Sequence, residues 1–181
     1  VFSWKDPAKT CHSEQERRNF KMDQKMEKNK NKTGLVLEGG GMRGIYTAGV
    51  LDVFLDEGLT FDGVIGVSAG AVHGCSFLSG QKGRSIRYYK KYCADKRFMS
   101  TENLIRTGNF VDTDFCYHEL PEILDVYDYD TFNKNKEHTD FYVVCSDVEK
   151  GKPVYAKLHD MKRDIGYIQA SASLPYVSKF V

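Results

Sequence analysis

A serine between two glycines, in Gly66-Val67-Ser68-Ala69-Gly70, is the part of this 181-residue sequence best suited to covalent chemistry. Gly66 and Gly70 give the G-x-S-x-G spacing of a nucleophile elbow, a sharp strand-to-helix turn that exposes a serine hydroxyl. So tight a turn leaves no room for side chains at its two flanks. The hydroxyl would lie at the amino end of a helix, where free N–H groups and the helix dipole favour developing negative charge. The alternative is an ordinary glycine-rich turn with a helix-capping serine.

A glycine-rich loop, one β-α unit earlier, supplies candidate partners for this serine. It consists of six consecutive residues: Gly39, Gly40, Gly41, Met42, Arg43 and Gly44. Successive glycines allow backbone N–H groups to point into a cavity, and an acyl-transfer serine needs such donors for its oxyanion. In folds with a nucleophile elbow these donors come from the loop after an earlier strand. We therefore expect the loop to lie beside Ser68.

Apolar runs around the two motifs predict successive β-α units. Gly34–Glu38 and Phe61–Val67 have the composition of short buried strands, and each is followed by a glycine motif. Ile45–Glu57 and Ala69–Leu78 then have the apolar faces of buried helices. Three more elements are predicted later in the sequence, namely strands at Phe141–Cys145 and Val154–Leu158 and a helix at Asp160–Ser171.

The loop also matches G-x-G-x-x-G at Gly39, Gly41 and Gly44, the fingerprint of a dinucleotide-binding fold when it follows a first strand. That fold uses an acidic residue at the end of the second strand to bind a ribose. Here Ser68 follows the strand end, and Asp62 lies at the strand's entry. Dinucleotide binding is therefore the less favoured alternative.

Three segments of the sequence resemble the bacterial patatin-like phospholipases: Leu37–Gly44, Gly66–Gly70 and Ala170–Pro175. The resemblance covers Thr33–Val181. It implies an α/β fold, a three-layer α/β/α sandwich with a mostly parallel sheet that is a patatin-like variant of the α/β-hydrolase type. It also implies hydrolysis of fatty-acyl esters of lipids, of the phospholipase A or lysophospholipase type, by a Ser–Asp dyad.

The same resemblance assigns roles to individual residues. Ser68 matches the catalytic nucleophile, and Gly39–Gly44 matches the oxyanion hole. Arg43 matches a basic residue that holds this loop in place. The implied N–H donors are Gly40, Gly41 and Met42.

The aspartate of the dyad has no counterpart in these 181 residues. In the family it stands in an Asp-Gly-Gly or Asp-Gly-Ala motif downstream of the segment that ends here at Pro175, and the sequence ends at Val181. The one Asp-Gly pair begins at Asp62, about 20 Å from Ser68 along an extended strand, which is too far for a general base. We expect the base beyond Val181, and we expect the 181 residues alone to be inactive or nearly so.

Histidines are weaker candidates for the base. His73 follows Ser68 by five residues on a helix and should face away from it. His138 lies in Asn133–Asp140, a charged stretch that we expect to be an exposed turn, and His159 follows a predicted strand. A non-catalytic lipid-binding protein is the main alternative function, since it would need no base.

Composition favours a cytoplasmic enzyme. The chain is 41% hydrophobic and 28% charged with a net charge of +1, and no apolar run approaches the ~18 residues that span a bilayer. No secretory signal is visible. Five scattered cysteines lack metal-site spacing and indicate reduced thiols. We predict no metal, no cofactor and no nucleic acid, with a lipid or membrane-surface ester as partner, in the cytoplasm or peripherally at the inner membrane surface.

Two stretches of the sequence are rich in basic residues. Residues 1–32 carry nine Lys or Arg against five Asp or Glu and are predicted to be a disordered or spurious leader before a domain at 33–181. Lys82–Arg97 carries seven basic residues and predicts an amphipathic helix with Ile86, Tyr89 and Cys93 on one face. We expect this helix to pack inward with its charges in solvent, and binding to an anionic membrane is the alternative.

Overall fold

A four-stranded, mostly parallel sheet organises the computed structural model, which describes residues 32–181. Its strands, in spatial order, are β1 (Gly34–Leu37), β2 (Gly63–Val67), β3 (Asp140–Asp147) and β4 (Lys152–Lys157). The first three are parallel, and β4 is antiparallel to β3. The predicted α/β class with a mostly parallel sheet is confirmed. The leader predicted for residues 1–32 lies, except for Lys32, outside the described residues.

Helices connect the strands within residues 32–181. They are α1 (Ile45–Asp56), α2 (Ala69–Leu78), α3 (Arg84–Tyr92), α4 (Thr101–Thr107), a wide segment with π-type hydrogen bonds (Phe115–Leu124), α5 (Tyr129–Asn135) and α6 (Met161–Ala172). A short 3₁₀ turn at Gly41–Gly44 leads directly into α1. The predicted bounds of α1, α2 and α6 are confirmed to within one residue at each end.

Two seven-residue helices, α4 and α5, were not predicted. Both depend on a capping side chain: Ser100 Oγ accepts a hydrogen bond from the N–H of Asn103 at 3.0 Å, and Asp128 accepts one from the N–H of Thr131 at 2.9 Å. Such short helices have little hydrophobic periodicity of their own. The expected exposed turn at Asn133–Asp140 is wrong at its start, because α5 continues to Asn135.

One face of the sheet forms the main core with α1, α2 and α6. Its buried side chains come from the strands and from the helices packed on them, and they include Leu37, Leu51, Val64, Ala71, Phe77, Phe132, Phe141, Val143 and Ile168. On the opposite face Val36 is 77% exposed and Tyr155 is 60% exposed. Residues 32–181 therefore form the sheet and one helical layer of the predicted three-layer sandwich.

The basic helix α3 packs inward, as predicted. Its buried face carries Tyr88, Tyr89 and Tyr92 rather than Cys93, which lies after the end of the helix and is exposed. Arg84 at its start is also buried, at 5% exposure. Its guanidinium donates to the backbone carbonyl of Asp125 at 2.8 Å and lies near two tyrosine rings, so this charge is partnered inside the fold.

His73 is a buried residue of α2 that supports the glycine loop from below. Its side chain is 1% exposed, and Nδ1 is hydrogen-bonded to Ser85 Oγ at 3.1 Å. A Cβ at Gly44 would lie only 2.8 Å from Nε2 of His73. Burial lowers the pKa of His73 from 6.5 to about 4, so the ring is neutral at pH 7.

Acid should therefore destabilise the fold through His73. Between pH 6.5 and about 4 the unfolded chain binds a proton at this residue that the folded chain does not, so stability falls as the pH falls. We expect a loss of roughly 2 kcal/mol from this residue between pH 7 and pH 4.5. Urea unfolding at the two pH values should show this extra loss in the wild type relative to His73→Gln. His138→Gln, which changes an exposed histidine, should lose as much stability as the wild type between the two pH values. If His73→Gln also loses as much, His73 is not the source of the extra acid sensitivity.

Candidate active site

Ser68 stands alone between β2, which ends at Val67, and α2, which begins at Ala69. Its backbone has φ 53° and ψ −123°, a conformation that residues with a side chain rarely adopt. Strain of this kind costs of order 1–3 kcal/mol and persists where the surrounding structure enforces it. Ser68 therefore occupies a strained strand-to-helix turn.

The two flanking glycines are required by close backbone contacts. A Cβ at Gly66 would lie 2.6 Å from Cα of Ala71 in the first turn of α2. A Cβ at Gly70 would lie 2.3 Å from the carbonyl oxygen of Leu37, at the end of β1. Helix α2 thus approaches β1 so closely that only hydrogen fits between them.

Substitution of Gly70 should be far more damaging than its small size change suggests. In Gly70→Ala the added methyl meets backbone atoms that cannot rotate away, and we expect a loss of about 3 kcal/mol or more in the free energy of unfolding. Gly49→Ala is the matched control, because a Cβ at Gly49, inside α1, would meet no atom within 4 Å among the described residues. That variant should gain roughly 0.5–1 kcal/mol. Equal denaturation midpoints for the two variants would refute the close approach.

The glycine loop lies directly against Ser68. A Cβ at Gly39 would be 3.0 Å from Cβ and 3.8 Å from Oγ of Ser68. The loop then closes into its 3₁₀ turn, in which the N–H of Arg43 donates to the carbonyl of Gly40 at 3.1 Å. Gly41 has φ 53°, in the region that favours glycine. The expected juxtaposition of loop and serine is thus observed.

The first backbone N–H groups of the 3₁₀ turn have no partner within the turn, and the turn has no side-chain cap. Gly41 and Met42 occupy these first positions. Both also line the cavity described next. The Arg43 side chain is exposed, whereas Gly44 is buried against Ala69 and His73.

A cavity of about 680 Å³ opens beside Ser68 and the loop. Its size lies within the range of small-molecule sites. Apart from the loop and Ser68, the walls are mostly aliphatic and aromatic side chains from α2, α3, the π-type segment and α6, among them Val72, Tyr89, Leu120, Pro121, Ile165 and Ile168. An apolar chain placed in this cavity would be removed from water along its length.

The thiol and phenol groups of the cavity wall that are described next are held in their neutral forms. Burial raises the pKa of the Cys75 thiol and of the Tyr88 and Tyr127 hydroxyls far above neutrality. Burial likewise raises the pKa of Cys116 to about 12. A thiol of this kind is a poor nucleophile at pH 7 because little thiolate forms. Among the described residues, Ser68 and Ser178 are the serines of this wall, and Ser68 is the nucleophile candidate because it occupies the strained strand-to-helix turn.

The candidate bases named from the sequence lie elsewhere. Asp62 accepts hydrogen bonds from the N–H and hydroxyl of Thr33, at 2.7 and 3.2 Å, beyond the start of β2 and away from Ser68. His138 and His159 are exposed, and neither lines the cavity. Among the described residues, the cavity lining contains no carboxylate and no imidazole.

Ser171, whose role the sequence did not indicate, contacts the elbow directly. Its Oγ accepts a hydrogen bond from the N–H of Ser68 at 2.8 Å. The same hydroxyl donates to the carbonyl oxygen of Val144 at 2.7 Å. Ser171 belongs to the segment Ala170–Pro175, which the family resemblance marked without assigning a role to any side chain.

A strained serine between strand and helix, beside a glycine-rich turn, is typical of α/β proteins with a nucleophile elbow. A sequence model described as patatin-like phospholipase matches residues 35–181. The chain belongs to the patatin-like phospholipase family, as the resemblance predicted. Proteins of this family act on lipid esters.

One curated relative shares part of this sequence. The chain is 40% identical over 82 residues to the uncharacterized protein YjjU of Escherichia coli (strain K12), and the match covers 45% of this chain and 23% of that protein. The matched part of the chain thus spans less than a quarter of that relative's length. Within residues 32–181, no helix is long and apolar enough to cross a membrane.

Proposed function

We propose that the protein is a serine acyl hydrolase that cleaves fatty-acyl esters of lipids, of the phospholipase A or lysophospholipase type. The observation that carries the proposal is the meeting of a strained serine and a glycine-rich turn at the wall of one apolar cavity. The family membership of the chain supports the same reaction class.

In the proposed reaction the Ser68 oxygen attacks the carbonyl carbon of the ester. A carbon–oxygen bond forms, the carbonyl electron pair moves to oxygen, and the serine proton passes to an aspartate. Collapse of the intermediate expels the alcohol, which takes that proton. Water then attacks the acyl-enzyme by the same steps and releases the fatty acid, which regenerates the Ser68 hydroxyl.

In the proposed reaction the glycine loop stabilises the oxyanion. Donors are needed where charge develops, and each is worth about 2.7–4 kcal/mol in the transition state. The N–H groups at the start of the 3₁₀ turn are candidates because they lack partners within the turn and line the cavity beside Ser68. Arg43 closes the turn through its own N–H. We assign the donors to Gly40, Gly41 and Met42.

The base is assigned to an aspartate beyond Val181. This assignment is supported by the absence of carboxylates and imidazoles from the cavity lining among the described residues. A serine hydroxyl without an adjacent base is a weak nucleophile. Activity is therefore expected only where such an aspartate is present.

The acyl chain of the substrate is assigned to the apolar cavity. Each buried methylene contributes about 0.8 kcal/mol, so longer chains should bind more tightly until the cavity is filled. This binding term would favour lipid esters over short water-soluble ones.

Replacing Ser68 tests the function directly. In the natural protein, Ser68→Ala should abolish hydrolysis of p-nitrophenyl esters and of lysophospholipid while circular dichroism shows an intact fold. Loss of a catalytic nucleophile typically reduces kcat by about 10⁶-fold. The control Ser146→Ala changes an exposed serine on β3 and should keep wild-type kcat. Hydrolysis retained by Ser68→Ala would disprove the nucleophile, and wild-type protein that binds lipid without hydrolysis would favour the lipid-binding alternative.

A further inference from the structure

The hydroxyl of Ser171 bridges β2 and β3 at the point where the elbow begins. It accepts a hydrogen bond from the N–H of Ser68 at 2.8 Å and donates one to the carbonyl oxygen of Val144 at 2.7 Å. Val144 is the register partner of Val67, in the last registered pair of the two strands. The hydroxyl therefore extends the contact between strands one residue further, where the backbone of Ser68 turns away.

Ser173, two residues later, makes only a local hydrogen bond and serves as a comparison for Ser171. Ser173 Oγ donates to the carbonyl of Gln169, four residues earlier, at 2.9 Å, which is the usual local bond of a serine on a helix. The corresponding carbonyl for Ser171 is that of Tyr167, which is contacted instead by the thiol of Cys145 at 3.3 Å. Ser171 thus reaches from its own helix to the sheet.

We propose that Ser171 is a positioning residue for the nucleophile. The hydrogen bond on the N–H of Ser68 holds the Val67–Ser68 peptide plane. Because α2 holds the chain on the other side of Cα, the angle φ between the two is restrained as well. The hydrogen bond thereby restrains the direction of the Cβ–Oγ bond that must face the ester. The inference rests on the proposed function, because the reactivity of Ser68 is the property that Ser171 controls.

The helix that carries Ser171 is itself held firmly. At its start, Asp164 accepts hydrogen bonds from the N–H groups of His159 and Asp160, at 2.8 and 3.0 Å. Burial would raise the pKa of Asp164, but these bonds and the guanidinium of Arg163 lower it to about 2, so the anchor is charged at pH 7. Ile168, one turn before Ser171, is buried in the main core. The elbow is thus tied to a docked helix rather than to a loop.

Phosphonate inactivation of the natural protein separates positioning from binding. For Ser171→Ala we expect the first-order inactivation rate kinact to fall on the order of 10- to 100-fold, because misplacement by 1 Å can cost about 100-fold. The half-saturation constant of the phosphonate should stay near the wild-type value. Ser173→Ala, the matched control, should keep wild-type kinact, and Ser171→Thr should recover most of the rate because it retains the hydroxyl.

Hydrogen exchange gives a readout that does not depend on activity. The amide of Ser68 should exchange faster in Ser171→Ala than in wild type or Ser173→Ala, while the melting temperature changes little. If phosphonates do not label the wild-type protein, the proposed function is disproved. The exchange rate of the Ser68 amide would still test its hydrogen bond to Ser171. Wild-type kinact and unchanged Ser68 exchange in Ser171→Ala would overturn the positioning role. If Ser171→Ala does not fold, Ser171→Cys replaces it in the test, because a thiol is a weaker hydrogen-bonding partner than a hydroxyl. Its kinact should then lie below the wild-type value. A wild-type kinact in Ser171→Cys would also overturn the positioning role.

Discussion

The contact between the first turn of α2 and the end of β1 is the constraint on which the candidate site depends. Only a hydrogen atom fits between Gly70 and the carbonyl of Leu37. Because α2 must start this close to the sheet, the chain has a single residue, Ser68, in which to change from strand to helix. The positive φ of that residue follows from the packing, and the exposed position of its hydroxyl follows from the turn.

The glycine loop is positioned by the same packing. The parallel pairing of β1 and β2 brings the loop after Leu37 alongside Ser68, so that a Cβ at Gly39 would meet the serine side chain. Below the loop, Gly44 rests on Ala69 and on the buried ring of His73, both from α2. Helix α2 therefore positions both Ser68 and the glycine-rich turn that faces it. The same packing sets the shape of the cavity wall beside them.

The sequence predicted the parts of the site that lie close together in the chain. The spacing of Gly66, Ser68 and Gly70, and the triple glycine that starts at Gly39, have backbone requirements that few other residues satisfy. Strand and helix bounds followed from apolar runs for the same local reason. These features could be predicted because each depends on a few adjacent residues.

What the sequence left out depends on contacts between distant residues. Ser171 accepts a hydrogen bond from the N–H of Ser68, which lies 103 residues earlier in the chain. The residues next to Ser171 do not distinguish it from Ser173, which makes only a local hydrogen bond. The cavity walls come from several helices and loops that are far apart in the chain, and they could not be assembled from periodicity. Helices α4 and α5 are too short for a clear pattern and depend on caps at Ser100 and Asp128. Cys93 was assigned to a buried face because the helix was predicted to be longer than it is.

The central claim is that Ser68 and the glycine loop together form an acyl-transfer site. A crystal structure of the natural protein after reaction with a long-chain phosphonate ester tests both parts in one measurement. The account predicts a covalent bond from phosphorus to Ser68 Oγ and an alkyl chain in the cavity. It also predicts a phosphoryl oxygen about 2.7–3.1 Å from N–H groups of Gly40, Gly41 or Met42. An adduct on another residue, or a phosphoryl oxygen directed away from the loop, would contradict it.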